Sequence, residues 1–363
     1  MERLRAAVVG ATGLAGQQFL ATLADHPWFE VTVLAASARS AGKTYLDALR
    51  SPGGAVQWFC TEPLAEKFMG MVVQSATDLN LDALDVVFTA LESDAARELE
   101  PLYARQVPVI STASAFRYEE DVPILVPTVN TEHDALLQRQ QAGRGWKGFI
   151  VPIPNCTTTG LVITLKPLQE RFGLQSVIMT SLQACSGAGR TGGVLGLDII
   201  DNIIPFIPKE EEKVQTETKK ILGQVQDGKV EPLPVGVSCT CTRVPVLEGH
   251  TEAVFVSLRR PASLEEVKEA FRTFAQNRPE MRLPSAPQHM ITLREDPFRP
   301  QPRLDRDTEE GMSTVVGRLR EDSVLPNGIK YVLVSHNTKM GAAKGAVWVA
   351  EVLAERGWIR RGK

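Results

Sequence analysis

Cys156 occupies a position from which a thiol could act as a nucleophile. It follows an apolar segment that ends at Pro154-Asn155, and it precedes three threonines, Gly160 and the apolar run at residues 161–165. This pattern predicts an extended segment, a sharp turn and a largely buried helix with Cys156 in its first turn. Unpaired N–H groups and the helix dipole at that end favour a thiolate, which attacks carbonyl carbon. A free cysteine can also be a small buried apolar residue, so position alone leaves both interpretations open.

His250 is the second residue whose type could serve such chemistry. It lies just before the predicted strand at residues 253–258 and is one of only five histidines in the chain. An imidazole titrates near neutral pH and can move a proton, but a histidine beside a strand can also be a structural hydrogen-bond partner. The sequence leaves both roles open.

A glycine turn near the N-terminus predicts a nucleotide site. An apolar strand at residues 5–9 leads into Gly10-Ala11-Thr12-Gly13-Leu14-Ala15-Gly16, and a helix with apolar residues at helical spacing follows. Glycines in such a turn let the backbone approach a pyrophosphate and direct the helix N-terminus towards it. The candidate cofactor residues in this turn are Gly10, Thr12, Gly13, Leu14, Ala15 and Gly16.

The segment after the second predicted strand indicates which dinucleotide is bound. The strand at residues 30–36 ends without the acidic residue that commonly binds the ribose of NAD. Two hydroxyls and two cations follow instead, at Ser37, Arg39, Ser40 and Lys43. These groups suit the additional 2′-phosphate of NADP. The alternative is a solvated surface loop.

The order of the predicted elements indicates an α/β protein with two domains. The length of 363 residues exceeds one ordinary core. Strands and helices alternate through the first part, which predicts a Rossmann-like, doubly wound parallel sheet. The polar, glycine-rich stretch at 140–145 is interpreted as a connection between domains, and 284–302 as a proline-rich loop. Strands at 173–183 and 237–243 alternate apolar and polar residues, which predicts an open, partly solvated sheet. The predicted units are 1–150, 151–335 and a C-terminal helix within 336–363.

The composition argues against some classes of partner and against a metal site, but it does not identify the function. The net charge of −3 gives no argument for a nucleic acid or a membrane surface as partner, and no apolar segment is long enough to span a bilayer. The five cysteines are an odd number, which predicts reduced thiols and a cytoplasmic location. Cys239 and Cys241 are too close in sequence for an ordinary bridge or a zinc half-site, so no metal is predicted. Taken by itself, Arg117 is typical of an exposed cation. The charged helix beginning at Glu210 is typical of a helix with a solvated face.

Several motifs, taken together and in this order, resemble one enzyme family. They are the glycine turn, Pro154-Asn155-Cys156-Thr157-Thr158-Thr159-Gly160, Gln183-Ala184-Cys185-Ser186-Gly187-Ala188-Gly189, Glu210-Glu211-Glu212-Lys213, Arg243-Val244-Pro245-Val246-Leu247-Glu248-Gly249-His250 and Asn337-Thr338-Lys339-Met340-Gly341. The chain resembles the aspartate-semialdehyde dehydrogenases, in particular the branch typical of archaea and fungi. The resemblance covers nearly the whole chain.

The resemblance implies an NADP-dependent oxidoreductase that converts aspartyl phosphate and NADPH to aspartate semialdehyde, NADP and phosphate through a cysteine thioester. This reaction leads towards lysine, threonine, methionine and isoleucine. The resemblance also implies that residues 151–335 form an α+β catalytic and dimerisation domain, whose open mixed sheet joins a homodimer or homotetramer. The C-terminal helix would return to the first domain.

The family's motifs also imply a role for each matching residue. Cys156 would be the nucleophile, His250 would manage protons, and Gln183 would orient the acyl group. Arg243 would bind the substrate carboxylate, Glu210 its amino group, and Arg117, Asn155 and Lys213 the phosphate. Asn337 would contact the nicotinamide carboxamide, with Ser186 and Gly187 also on the cofactor side.

Two residues depart from the family's pattern, and three alternative functions stay open. Thr112 and Thr242 each stand where this branch often has asparagine. The alternatives are a malonyl-CoA reductase, an N-acetyl-glutamyl-phosphate reductase and a non-catalytic NADP-binding protein. Against malonyl-CoA, which has no amino group to recognise, Glu210 with Lys213 and Glu217 favours an amino-acid substrate.

Overall fold

A parallel sheet and a mixed sheet, each of six strands, form the framework of the protein. A computed structural model describes residues 2–189 and 196–362. Parallel pairing throughout the first sheet confirms the doubly wound prediction, and the second sheet combines parallel and antiparallel pairs. The α/β class with an α+β second part is therefore confirmed.

The first sheet has the strand order β3-β2-β1-β4-β5-β6, which is typical of dinucleotide-binding folds. Its strands are β1 (Leu4–Val9), β2 (Phe29–Ala36), β3 (Val73–Ser75), β4 (Val86–Thr89), β5 (Val109–Ser111) and β6 (Ile150–Pro152). Its helices are α1 (Leu14–Leu23), α2 (Tyr45–Ala48), α3 (Glu66–Met69), α4 (Ser93–Ala104) and α5 (Leu136–Arg144). Strands β4, β5 and β6 are buried along their whole length, as expected for a sheet covered on both faces.

The second sheet has the order β10-β7-β11-β14-β13-β12. Its strands are β7 (Leu174–Gln183), β10 (Gly236–Arg243), β11 (His250–Leu258), β12 (Ile291–Arg294), β13 (Thr314–Asp322) and β14 (Gly328–Ser335), and β8 (Gln224–Gln226) pairs with β9 (Lys229–Glu231) outside it. Helices in this part are α6 (Cys156–Phe172), α7 (Gly196–Ile199), α8 (Glu210–Ile221), α9 (Leu264–Arg272) and α10 (Pro302–Asp305).

In the part of the chain that the structure describes, helices α6, α8 and α9 pack on one face of the second sheet. Apolar residues of α6, α8 and α9 pack on the alternate residues Val177, Met179, Val254 and Val256. On the opposite face Ile178 is 45% exposed, and its neighbours in the sheet include Thr180 and Phe255. The predicted open sheet is therefore confirmed.

The last helix, α11 (Ala343–Glu355), returns to the first sheet, as predicted. Its apolar residues Ala346, Val347 and Leu353 share a core with Phe19 and Leu20 of α1. This contact places the end of the chain beside its beginning.

A buried hydrogen-bond network reinforces that position of α11. The carboxylate of Glu351 lies 2.7 Å from Nε2 of His26 and accepts the backbone N–H of Ser285. A buried carboxylate with several donors resists displacement, so α11 is joined to the segments that precede β2 and β12.

Two local predictions were wrong. Residues 140–144 do not form a connection: they end helix α5, because the buried Gln140 side chain bonds both the N–H and the C=O of Ile150. The stretch at 284–302 is not entirely loop, because β12 pairs with β13 within it. The division between 150 and 151 falls inside β6 and stays a prediction.

Among the described residues, no helix is both long and apolar enough to cross a membrane.

Candidate active site

Asn155 caps the helix that presents Cys156. Its Oδ1 accepts hydrogen bonds from the N–H groups of Thr157 and Thr158, at 2.9 and 3.3 Å. Its backbone is extended, which turns the chain from β6 into α6. Cys156 is therefore in the first turn of the helix, as predicted.

The structure brings Cys156 and His250 into contact. Sγ of Cys156 lies 3.1 Å from Nε2 of His250, although 94 residues separate them in the chain. His250 begins β11 and is fully buried, and its Nδ1 accepts the backbone N–H of Ala184 at 3.0 Å. On the other side of the cysteine, Gly341 approaches so closely that a Cβ there would lie 2.9 Å from Cβ of Cys156.

The protonation states differ from those the sequence suggested. Burial raises the pKa of the Cys156 thiol to about 12, and the nearby Glu210 adds to this effect, while Arg243 and Arg117 oppose it. The helix end also lowers the pKa through the Thr157 N–H, but burial outweighs it. Burial thus favours the thiol form of Cys156.

His250 is neutral for a related reason. Burial lowers its pKa to about 3, and the positive charge of Arg243 acts in the same direction. Burial and Arg243 therefore both favour the neutral imidazole.

Glu210 joins three of the predicted site residues. Its Oε1 accepts the side-chain N–H groups of Asn155 and Gln183, at 2.8 and 2.9 Å. Nζ of Lys213, one helical turn later, lies 3.6 Å from Oε2. The carboxylate thus holds the cap of the cysteine helix and the end of β7 in one arrangement.

Arg117 is buried rather than exposed, so its interpretation as a surface cation was wrong. Its Nη1 bonds Oε1 of Glu217 at 3.0 Å, and its Nη2 donates to the carbonyl of Thr112 at 3.0 Å. The other oxygen of Glu217 accepts the backbone N–H of Asn155 at 2.7 Å. Glu217 therefore fixes a guanidinium and the start of the cysteine helix together.

The sequence associated Glu217 only with an amino-acid substrate, and its contacts with Arg117 and Asn155 were not predicted because α8 alone was interpreted as solvated. The helix buries Glu210, Val214, Glu217, Thr218 and Ile221, which recur at helical spacing, while Glu212 is exposed. Glu210 and Glu217 share this spacing with the apolar residues Val214 and Ile221. The spacing was the sequence signal that these two acids lie on the buried face of α8.

Arg243 lies at the end of β10, next to the turn that follows β7. Its Nη1 donates to the carbonyl of Ala184 at 2.7 Å, and the residue is buried. Thr242, the second departure from the family's pattern, donates to the carbonyl of Ser181 at 2.7 Å and so stays within the sheet. Arg243 and His250 are thus both anchored to Ala184.

Gly187 leaves open the space above these two side chains. A Cβ at this position would lie 3.1 Å from Nη1 of Arg243 and 3.3–3.4 Å from the His250 ring. A glycine therefore keeps the approach to the imidazole free of side-chain atoms.

Gly187→Ala is expected to lower kcat/KM roughly tenfold, since displacements of about 1 Å at a reacting centre cost up to 10²-fold. The measurement is steady-state reductase kinetics, with Ala188→Gly, in the same turn, as the matched control. Unchanged kinetics of Gly187→Ala would contradict a role for this open space.

The predicted dinucleotide turn has the close packing that such a turn needs. Gly10 has φ +82°, and a Cβ on Gly16 would lie 2.1 Å from the carbonyl oxygen of Gly10. Only glycine fits at both positions. Gly13 is the N-cap of α1, so Leu14 and Ala15 form the first turn of that helix, with Thr12 before it.

The predicted 2′-phosphate residues follow β2. Ser37, Arg39 and Lys43 are exposed, and Ser40 is buried. Arg39 and Lys43 have no ion pair with any residue that the structure describes. Both cations are therefore available to an anion.

Asn337 and Ser186 meet beside the cysteine site. The side chain of Asn337 donates to Oγ of Ser186 at 2.8 Å and accepts the backbone N–H of Gly249 at 2.8 Å. This pair links the turn after β7 to the segment that precedes His250. The candidate cofactor residues Asn337 and Ser186 of the second part thus contact each other, and Gly187 lies beside His250.

The two halves of the candidate site share one edge of the first sheet. The glycine turn follows β1 and Cys156 follows β6, and both lie beyond the carboxyl ends of parallel strands. The predicted 2′-phosphate residues follow β2. Four strand spacings, roughly 19 Å, separate β2 from β6 in this sheet. An extended dinucleotide could therefore run along this edge towards Cys156.

No group of three or more potential metal ligands occurs in residues 2–189 and 196–362. All five cysteines are free.

Comparisons with known proteins identify the family. Residues 5–136 match the NAD binding domain of semialdehyde dehydrogenases, and residues 165–340 match the dimerisation domain of semialdehyde dehydrogenases. The chain is 47% identical to the aspartate-semialdehyde dehydrogenase of Archaeoglobus fulgidus, over 97% of this chain and 98% of that protein. It is 44% identical to the enzyme of Methanothermobacter thermautotrophicus, over 96% and 98% of the two chains.

A solved structure supports the same family assignment. The crystal structure of aspartate semialdehyde dehydrogenase with NADP from Candida albicans aligns with a TM-score of 0.88 and 42% identity, covering 99% of this chain and 100% of that one. With the fold, the cysteine–histidine pair and these similarities in agreement, the chain belongs to the aspartate-semialdehyde dehydrogenase family.

Proposed function

We propose that this protein reduces L-aspartyl 4-phosphate to L-aspartate 4-semialdehyde with NADPH, releasing phosphate, through a thioester on Cys156. The contact of 3.1 Å between Cys156 and His250 carries this proposal, because it places a nucleophile and a polar partner where a carbonyl carbon can be attacked. The family relationship supports the same reaction.

The first step follows from the chemistry of the sulfur. Cys156 attacks the acyl carbon, the carbon–oxygen bond to phosphate breaks, and a thioester forms. Arg117, Asn155 and Lys213 are the candidates for binding the departing phosphate, and Arg243 is the candidate for the substrate carboxylate. Glu210, with its partners Asn155 and Gln183, is the candidate for the substrate amino group.

The residues present fit NADPH, and when bound it supplies the hydride that reduces the thioester. The glycine turn would hold the pyrophosphate, because it leads from β1 into the N-terminus of α1, whose first N–H groups favour an anion. Arg39 and Lys43 would hold the 2′-phosphate, with Ser37 and Ser40 as hydroxyl donors. Asn337, Ser186 and Gly187 would face the nicotinamide.

Arg39→Ala is expected to raise the KM for NADPH roughly tenfold or more, and to leave the KM for NADH nearly unchanged. The reason is that only NADPH carries the phosphate that the guanidinium would bind, and a hydrogen bond to a charged group contributes about 1.5–3 kcal/mol. Steady-state kinetics with both nucleotides measure this. Arg50→Ala, an exposed arginine beyond the predicted phosphate loop, is the control, and equal effects of Arg39→Ala on both nucleotides would contradict the assignment.

The open face of the second sheet is the proposed dimer interface. It exposes Ile178 within the matched dimerisation domain. A homodimer would cover it, and pairs of dimers would give a homotetramer. The odd number of free cysteines supports a cytoplasmic location, and 1–150, 151–335 and 336–363 remain the proposed divisions.

The substrate is tested directly by assaying aspartyl phosphate, malonyl-CoA and N-acetyl-glutamyl phosphate with NADPH. We expect turnover with aspartyl phosphate and at least about 10²-fold lower kcat/KM with the others, because buried polar groups are left unpaired when a substrate lacks its partner. Preferred reduction of malonyl-CoA would overturn the assignment, and NADPH binding without reduction of any of the three would indicate a non-catalytic protein.

A further inference from the structure

The segment that carries Arg117 directs three of its backbone carbonyl groups to one point. The carbonyl oxygens of Arg117, Glu119 and Val122 accept hydrogen bonds from Nζ of Lys220, at 2.7, 2.8 and 2.8 Å. An ammonium group has three N–H donors and no acceptor, so these bonds use all of its donors. Lys220 thus joins the segment 112–122, which we call the arginine turn, to helix α8.

Helix α8 holds both the backbone and the side chain of Arg117. Lys220 follows Glu217 by three residues, so the two side chains lie on the same face of the helix. Glu217 accepts a hydrogen bond from Nη1 of Arg117 at 3.0 Å, while Lys220 binds the backbone carbonyl of the same residue. One helix therefore fixes the guanidinium and the backbone from which it extends.

The guanidinium keeps one donor for an anion. Nη1 bonds Glu217 and Nη2 bonds the carbonyl of Thr112. Nε of Arg117 is buried and has no hydrogen-bond partner within the part of the chain that the structure describes. A buried donor without a partner is unfavourable, and a phosphate oxygen is an acceptor that suits a guanidinium. A phosphate bound here would satisfy this donor.

Lys220 also contributes to the charge at the arginine turn. The carboxylate of Glu217 offsets the positive charge of Arg117, and Asp121 of the turn is paired with Arg144 of α5. The ammonium group of Lys220 therefore supplies an additional positive charge beside these two pairs, which favours an anion. Without that charge, each of the two pairs is neutral.

We propose that Lys220 is a positioning residue for phosphate recognition, whose ammonium group holds the arginine turn so that Arg117 presents its free Nε to the phosphate of the substrate and of the released product. This inference rests on the proposed function and adds a residue to it. Lys220 acts through Arg117 and is not itself a catalytic residue.

A pH dependence follows from the burial of the ammonium group. Burial lowers the pKa of Lys220 to about 8, although Asp121, Glu119 and Glu217 act in the opposite direction. The pKa of His133 is lowered by burial and, less strongly, by the charge of Lys220, so this neighbour is neutral. Above about pH 8 the neutral amine has only two N–H donors for three carbonyls, and its charge is lost. Phosphate affinity should therefore fall as the pH rises through this value.

Binding of inorganic sulfate tests the inference without turnover, because the charge of sulfate is constant between about pH 6.5 and 9.5. Calorimetric titration of the full-length protein at constant ionic strength should show a dissociation constant that rises about tenfold across this range. Lys220→Met keeps the length of the side chain and removes the donors, so it should bind sulfate about tenfold more weakly at pH 7 and lose most of the pH dependence. Lys219→Met, at the adjacent half-buried lysine, is the matched control and should resemble the wild type.

Three results of this titration would overturn the proposal. They are wild-type affinity that does not change with pH, a pH dependence in Lys220→Met equal to that of the wild type, and sulfate binding that survives in Arg117→Gln. The first of these needs no variant, so the proposal is testable even if Lys220→Met does not fold.

Kinetics separate a positioning role from a purely structural one. Lys220→Met should raise the KM for aspartyl phosphate about tenfold and change kcat less than about threefold, because a phosphate anchor lost equally from bound substrate and transition state raises KM alone. The dissociation constant of NADPH should be unchanged. An unchanged KM, or an equal loss of NADPH binding, would contradict the positioning role. The expected sulfate binding in a protein without reductase activity would reject the proposed function alone.

Discussion

Replacing Cys156 with alanine is expected to reduce kcat by about 10⁴-fold or more, because loss of a covalent nucleophile removes the thioester route altogether. NADPH binding should be unchanged, since the glycine turn follows β1 and makes no use of the sulfur. The measurements are steady-state consumption of NADPH with aspartyl phosphate and fluorescence titration of NADPH in the absence of substrate.

Cys60→Ala is the matched control for this experiment. Cys60 is a half-buried free thiol in the first part of the chain, outside the proposed catalytic residues. Its replacement should alter kcat by less than about twofold, as surface substitutions away from special features usually do. Turnover that survives in Cys156→Ala would refute the thioester mechanism, and a loss in Cys60→Ala of similar size would show that the effect is not specific to Cys156.

Glu217→Gln is expected to lower kcat/KM about 10²-fold and to reduce the free energy of unfolding by about 3 kcal/mol, in the range found when one partner of a buried ion pair is removed. Glutamine keeps the size of the side chain but leaves the Arg117 guanidinium without its negative partner. It also weakens the acceptor for the Asn155 N–H, at the start of the cysteine helix. Kinetics with aspartyl phosphate, inhibition by inorganic phosphate and thermal unfolding measure the three consequences.

Glu212→Gln separates this effect from a general change in the charge of α8. Glu212 is exposed on the same helix and should be replaceable with little effect on kinetics or stability. If Glu217→Gln lowered stability while phosphate inhibition and kcat/KM stayed unchanged, Glu217 would be a purely structural residue and its role in placing Arg117 would be refuted.

The fold was largely predictable because its signals are local. The glycine turn between β1 and α1 is recognisable in the sequence because Gly16 approaches the backbone of Gly10 and Ala11, which lie close to it in the chain. The capping bonds of α6 run from Thr157 and Thr158 to Asn155, two and three residues away in the chain. Predictions failed where a distant contact decided the structure, as at Gln140, whose buried bonds to Ile150 extend α5 into a stretch that is polar in sequence.

In the candidate site, the burial of charged residues likewise depends on contacts with other elements and not on the local sequence. The acids of α8 suggested a solvated helix, yet Glu210 and Glu217 are buried, because Asn155, Gln183 and Arg117 supply donors from other elements. A buried carboxylate is stable only when such partners are present, and sequence does not state which partners will be near.

The amino-acid sequence by itself determined the α/β architecture, the dinucleotide turn, the first-turn position of Cys156 and the family, because each depends on short-range spacing or on ordered motifs. Only the tertiary structure decided that Cys156 meets His250 across 94 residues, that burial favours the thiol form of Cys156, and that it favours the neutral imidazole. The physical reason is that a pKa depends on burial and on nearby charges, and both are properties of the packed chain.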